Sequence, residues 1–130
     1  MKLNQSETGA FAVTGYGPGY LIAGGVRYGH ALIVSTEAPP RRWPLADISS
    51  LGADLLAPLV AGGKPEIVLI GTGSHQVFQP PAVLRPLIEA GVGIEVMNTA
   101  AACRTFNLLQ GEGRRVVAAL CCPEPGPGQA

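Results

Sequence analysis

The sequence predicts an α/β fold. It reads as a single compact domain with a mixed β-sheet, flanking helices and a protruding β-hairpin, β-rich in front and βαβαβ-like behind. Three observations predict it. The length of 130 residues falls within the roughly 100–200 residues of one domain. Three apolar runs, at 66–70, 93–97 and 114–122, alternate with two segments of helical period. The front of the chain instead carries short apolar runs cut by Gly and Pro clusters. The folded domain is expected to span 8–122, with 1–7 and the Pro/Gly-rich 123–130 as disordered tails.

Taken in order, residues 10–14 form a short first strand and 16–20 a turn cluster. Residues 20–23 and 26–28 flank Gly24-Gly25, a two-residue hairpin signal. Residues 31–35 are a buried strand that Pro39-Pro40 ends, and 41–44 is a loop or edge segment. Residues 47–60 predict a helix with Ile48, Leu51, Leu55 and Leu59 on one face, capped by Asp47 or Ser49 and stopped by Pro58. Residues 66–70 lack polar alternation, so both faces of that strand should be covered. A helix over 81–90 places Pro81 first, turns Leu84, Leu87 and Ile88 inward and stops at Gly91, with Pro86 predicting a kink or a short helix. Asn98 or Thr99 caps a second helix running to about Gln110. Three strands joined by helices should be parallel, with their carboxyl ends on one edge. The turn at 71–75 and the helix start at 98–99 share that edge, where open α/β sheets place ligands.

Composition narrows the function classes. Apolar residues make up 47%, enough for a core, and charged residues only 14%, against about 25% in an average domain. Nine basic and nine acidic residues cancel, which argues against a dedicated nucleic-acid binder. So few charges predict a surface covered in part by a protein partner or by a second copy, as a homodimer. No membrane-spanning segment or signal peptide is read, so the expected location is cytoplasmic. The three cysteines show no CxxC pair, so no metal site is expected. Arg41-Arg42-Trp43 reads as a solvated loop with an anchored Trp.

One candidate site emerges. Gly71-Thr72-Gly73 follows a buried strand and reads either as a tight turn or as a cradle of backbone N–H groups for an anion. It matches neither the Walker loop nor the dinucleotide fingerprint. Asn98 and Thr99 open a helix whose N-terminus favours anions. At 100° per residue Ala102, Phe106 and Leu109 face the core, which leaves Arg104 for a ligand, solvent or a neighbouring loop. Asn107 and Arg114 are possible supporting residues, and ion pairing is the expected role of Arg114. Cys103 reads as a core filler, since nothing in the spacing demands a Cys103–His75 dyad, and no catalytic residue is assigned.

Several segments in order resemble one family: Gly15 to Gly19, Gly24 to Val26, Trp43-Pro44, Gly71 to Gly73, Gly91 to Thr99, Cys103 to Leu109 and Glu112 to Leu120. This is a family of unknown function whose eukaryotic relatives include a mitochondrial complex I assembly factor and an adipogenesis-associated domain protein. The resemblance spans roughly 8–122. It implies a compact α/β domain with a mixed sheet and a protruding hairpin near 15–35, no enzymatic activity and no cofactor. Phe106 stands where Tyr is common in the family, which weakens any role as a proton donor. The expected function is therefore a non-enzymatic accessory or assembly protein acting through protein–protein contacts, in membrane-complex biogenesis. The hairpin at Gly24-Gly25 and the edge at Gly71, Gly73 and Arg104 are its expected contact regions. The alternative is a small-anion or metabolite binding domain, or a cryptic enzyme, with a cleft formed by the Gly71–Gly73 turn, the helix start at Asn98-Thr99 and Arg104.

Overall fold

The computed structural model of the protein describes residues 11–124. A small antiparallel sheet comes first: β1 (Val13–Gly17), β2 (Tyr20–Ala23) and β3 (Val26–Tyr28), in that spatial order. The first strand thus runs further than the sequence predicted, through Tyr16 and Gly17. Tyr16 is buried, and a Cβ on Gly17 would sit 2.5 Å from the Tyr20 ring, so glycine lets the two strands close. The turn shrinks to Pro18-Gly19, with Gly19 at φ +77°. The β2–β3 hairpin forms as expected, with Ala23 opposite Val26 and Gly24 and Gly25 at φ +57° and +80°.

The main sheet has five strands in the order β5-β4-β8-β6-β7. They are β4 (Leu32–Ser35), β5 (Arg41–Arg42), β6 (Ile67–Gly71), β7 (Gly93–Met97) and β8 (Val116–Leu120). The pairs β6–β7 and β6–β8 are parallel, and β4 runs antiparallel to β5 and β8. The sheet is mixed, as predicted. β8 is shorter at both ends than the apolar run. The Glu66 carboxylate takes the Arg115 N–H at 3.0 Å before the ladder starts, and β6, its partner, ends at Gly71.

Side chains alternate across this sheet and feed two cores. On one face Leu69, Val116, Ala118 and Leu120 pack against the small sheet and against Ala102, Cys103 and Phe106 of α4 (Thr99–Gly111). On the other face Ile33, Val68, Ile70 and Ala119 pack against α1 (Ala53–Leu56), α2 (Pro58–Ala61) and α3 (Pro81–Ala90). Trp43 is anchored in this second core, its indole N–H donating to the Leu55 carbonyl at 3.1 Å.

The helix predicted over 47–60 is broken into a 3-10 turn at Ile48–Ser50, α1 and α2. Leu51 is extended (ψ 131°), and Pro58, expected to stop the helix, opens α2 as its first residue. The expected apolar face survives, since Ile48, Leu51, Leu55 and Leu59 all reach the second core. α3 runs through Pro86 for its full ten residues and ends at Gly91 with φ +74°. Leu87 is buried, but Ile88 is 52% exposed rather than inward, because Val83, Leu84 and Ala90 complete the packed face. The expected tail does not begin at Pro123: the Pro123 carbonyl accepts from the Gly19 N–H at 2.8 Å, and Glu124 is bound as described below. The other predicted tail residues, 1–7 and 125–130, lie outside the described residues.

Candidate functional site

The carboxyl ends of β6, β7 and β8 meet the start of α4, as the parallel topology requires. Gly71 closes β6 where α4 approaches most closely, and a Cβ there would lie 3.0 Å from Thr99 Oγ1 and 3.1 Å from Thr99 Cα. Asn98 is the helix cap, its side chain accepting the Ala101 N–H at 2.8 Å. This frees Thr99 for another task. Its buried hydroxyl accepts the Gly73 N–H at 2.8 Å and donates to the Cys121 carbonyl at 2.7 Å, while its own N–H donates to the Gly73 carbonyl at 2.8 Å. Thr72, also fully buried, donates to the His75 carbonyl at 2.6 Å and accepts the Val77 N–H at 3.1 Å. Gly71, Thr72, Gly73, Asn98 and Thr99 therefore come together as expected. Within this cluster, hydroxyls tie the strand ends to one another.

The next donor in the turn is also taken. The Ser74 N–H donates to a Glu124 carboxylate oxygen at 2.6 Å, and the Ser74 hydroxyl donates to the Glu124 carbonyl at 3.2 Å. Gly73, at φ +104°, lies directly under that carboxylate, and a Cβ there would collide with it. Partial burial pushes the Glu124 carboxyl upward. The Ser74 hydrogen bonds and the nearby His75 outweigh that and hold it below the ordinary carboxylate range. The turn thus holds a carboxylate that belongs to the chain itself. Sequence reasoning missed Glu124 because its Pro/Gly-rich surroundings read as a tail; its position just past a strand on the same edge was the available signal.

The remaining candidates go elsewhere. Arg104 donates from Nη1 to the Tyr16 hydroxyl at 3.2 Å, tying α4 to the small sheet. Asn107 is buried and exchanges two hydrogen bonds with the Val13 backbone, accepting its N–H at 3.1 Å and donating to its carbonyl at 2.7 Å. Arg114 pairs with Glu66 at 2.9 Å at the opposite end of the sheet. Cys103 has no exposure, and burial pushes its thiol up to about 12, so it fills the core as expected. At the sheet edge, Gln76 donates to the outward carbonyl of Val96 at 2.9 Å beside Phe78, which is 79% exposed.

The family model described as a protein of unknown function (DUF498/DUF598) matches residues 13–121. The chain belongs to this family. It is similar to an uncharacterized protein of Rhodobacter capsulatus, with 40% identity over 119 residues that cover 91% of this chain and 89% of that one. It is also similar to NADH dehydrogenase [ubiquinone] 1 alpha subcomplex assembly factor 3 of Danio rerio, 30% identical over 131 residues, 97% of this chain and 73% of that protein. Among solved structures, a Mth938-like domain of Bordetella pertussis superimposes with a TM-score of 0.78 at 37% identity, covering 98% of this chain and 96% of that one. The family read from the sequence, with its assembly-factor branch, is borne out, and so is the α/β fold. No helix among the described residues is long and apolar enough to cross a membrane.

Proposed function

We propose that this family member is a non-enzymatic accessory or assembly protein of the cytoplasm that acts through protein–protein contacts in membrane-complex biogenesis. The observation that carries the reading is the match to the Danio rerio assembly factor, which runs over 97% of this chain rather than over one motif. Two structural features support it. The N–H groups of Gly73 and Ser74 are bound internally, which leaves the turn poorly suited to an outside ligand. Apolar side chains meanwhile stand in solvent, with Val26 51% exposed on the β2–β3 hairpin and Phe78 79% exposed beside the edge strand. A photo-crosslinking residue at Val26 or Phe78, introduced in living cells, tests this. The expected result is adducts with subunits of a membrane complex, at higher yield than from the exposed control position Glu89. Equal yield at all three positions would overturn the proposal, and adducts between two copies alone would point to the homodimer.

One observation favours the alternative of a small-anion or metabolite site: what the Gly71–Gly73 turn holds is itself a carboxylate. An outside carboxylate would have to displace Glu124, so Glu124→Ala should expose the site. Acetate added to that variant should then shift the Ser74 amide signal. No shift in the variant, as in the parent chain, would reject this reading.

A further inference from the structure

The opposite end of the main sheet carries a larger opening, in which none of the residues discussed above as a candidate site takes part. A cleft of about 570 Å³ lies between β4, β5, α2 and the start of β8. That volume is in the range of small-molecule sites, roughly 300–1,000 Å³. Ile33, Leu59 and Val117, which also belong to the second core, line its floor. Along another part of the wall run Gly62 and Gly63, where an added Cβ would meet nothing within 4 Å, so bare backbone borders open space.

The charges are one-sided. Arg41, Lys64 and Arg115 line the cleft and all three are exposed, the Lys64 ammonium being turned toward Gly91 at the end of α3. These are three of the nine basic residues in a chain of zero net charge. Glu37 is the only acid on the lining. Among the described residues the one ion pair is Arg114–Glu66; that carboxylate also accepts the Arg115 N–H at 3.0 Å and feels the Arg115 charge, while Arg41 and Lys64 have no ion pair. Arg115 donates from Nη1 to the Lys64 carbonyl at 3.2 Å. That contact holds the guanidinium at the rim while four of its five N–H donors remain for other partners. Like charges gathered around a low-dielectric cleft focus a positive field into it.

We propose that this cleft binds a small organic phosphate, its phosphate dianion held by Arg41 and Arg115 and its apolar body resting on Ile33, Leu59 and Val117. Cations placed on separate elements suit the several oxygens of a phosphate better than a carboxylate, which a single bidentate arginine satisfies. The apolar floor adds burial that inorganic phosphate cannot use.

Amide NMR spectra of the full chain titrated with phenyl phosphate test the proposal. Shifts are expected at Gly62, Gly63, Lys64 and Val117, with weaker binding of inorganic phosphate and none of benzyl alcohol. Arg115→Gln and Arg41→Gln should each weaken phenyl phosphate by about tenfold, the loss expected for charge-assisted contacts. Glu37→Gln should tighten it, because the variant removes the acid on the lining. All of these side chains are exposed, so unchanged spectra without ligand will show that the variants fold. No shift at millimolar phenyl phosphate would overturn the proposal. So would shifts that persist unchanged in both basic variants, or equal binding of benzyl alcohol.

Discussion

At the scale of single residues, two side chains do the work that the sheets cannot. Asn107 answers both backbone groups of Val13, so one amide acts as a further bridge between α4 and β1. Asn107→Ala should cost about 1–3 kcal/mol in urea unfolding, because it strands a buried donor and acceptor. Gly73 holds a left-handed conformation directly under the Glu124 carboxylate. Gly73→Ala should cost about 1–3 kcal/mol and release Glu124, seen as faster hydrogen exchange at the Ser74 amide. The Glu124 carboxyl is held below its ordinary range, so its contribution is complete above the unfolded carboxylate pKa of about 4.3. That contribution is lost as pH falls through the lower folded value. The Ser74 amide shift should accordingly stay constant from neutral pH down to mildly acidic pH and move only below the ordinary carboxylate range.

At the scale of elements, Pro86 is the clearest local conflict. It removes one helical hydrogen bond inside α3, yet the helix persists because Leu87 and its neighbours are buried against the second core. Pro86→Ala should therefore raise stability by about 1 kcal/mol, the regained bond being partly offset by a freer unfolded chain; thermal unfolding measures it. The same balance explains which elements were legible in the sequence. β6 and β8 were plain because burial on both faces leaves continuous apolar runs, and the hairpin was plain because Gly24-Gly25 supplies the positive φ that a two-residue turn needs. The helix over 47–60 misled because its apolar spacing is real while its backbone is not continuous; Gly52 and Pro58 restart the chain instead of merely ending it. At the candidate site, the glycines and the helix cap were readable from local spacing. The carboxylate over them was not, because Ser74 and Glu124 meet only through the folded sheet edge.

At the scale of the whole molecule, the five-stranded sheet separates two apolar cores and presents different chemistry at its two ends. At one end the turn after β6 is tied down by Thr72, Thr99 and Glu124. The other is open and basic. The cysteines report on the integrity of this arrangement. Burial pushes Cys103 and Cys121 up to about 12 and also raises Cys122. A thiol-reactive dye at mildly alkaline pH should label the native protein slowly at all three positions and rapidly in urea, so that labelling follows global opening. Rapid native labelling of Cys103 would mean that the first core opens locally.

Trp43 carries a consequence of a different kind. It is the only tryptophan in the chain, it is 1% exposed, and its indole N–H is already bonded to the Leu55 carbonyl. Its fluorescence therefore comes from one dry, hydrogen-bonded environment between the edge strand and the first helix. The intact fold should emit at short wavelength and be poorly quenched by iodide or acrylamide. Loosening of the β5–α1 junction should appear as a red shift, giving the protein an internal optical gauge of that corner that needs no attached label.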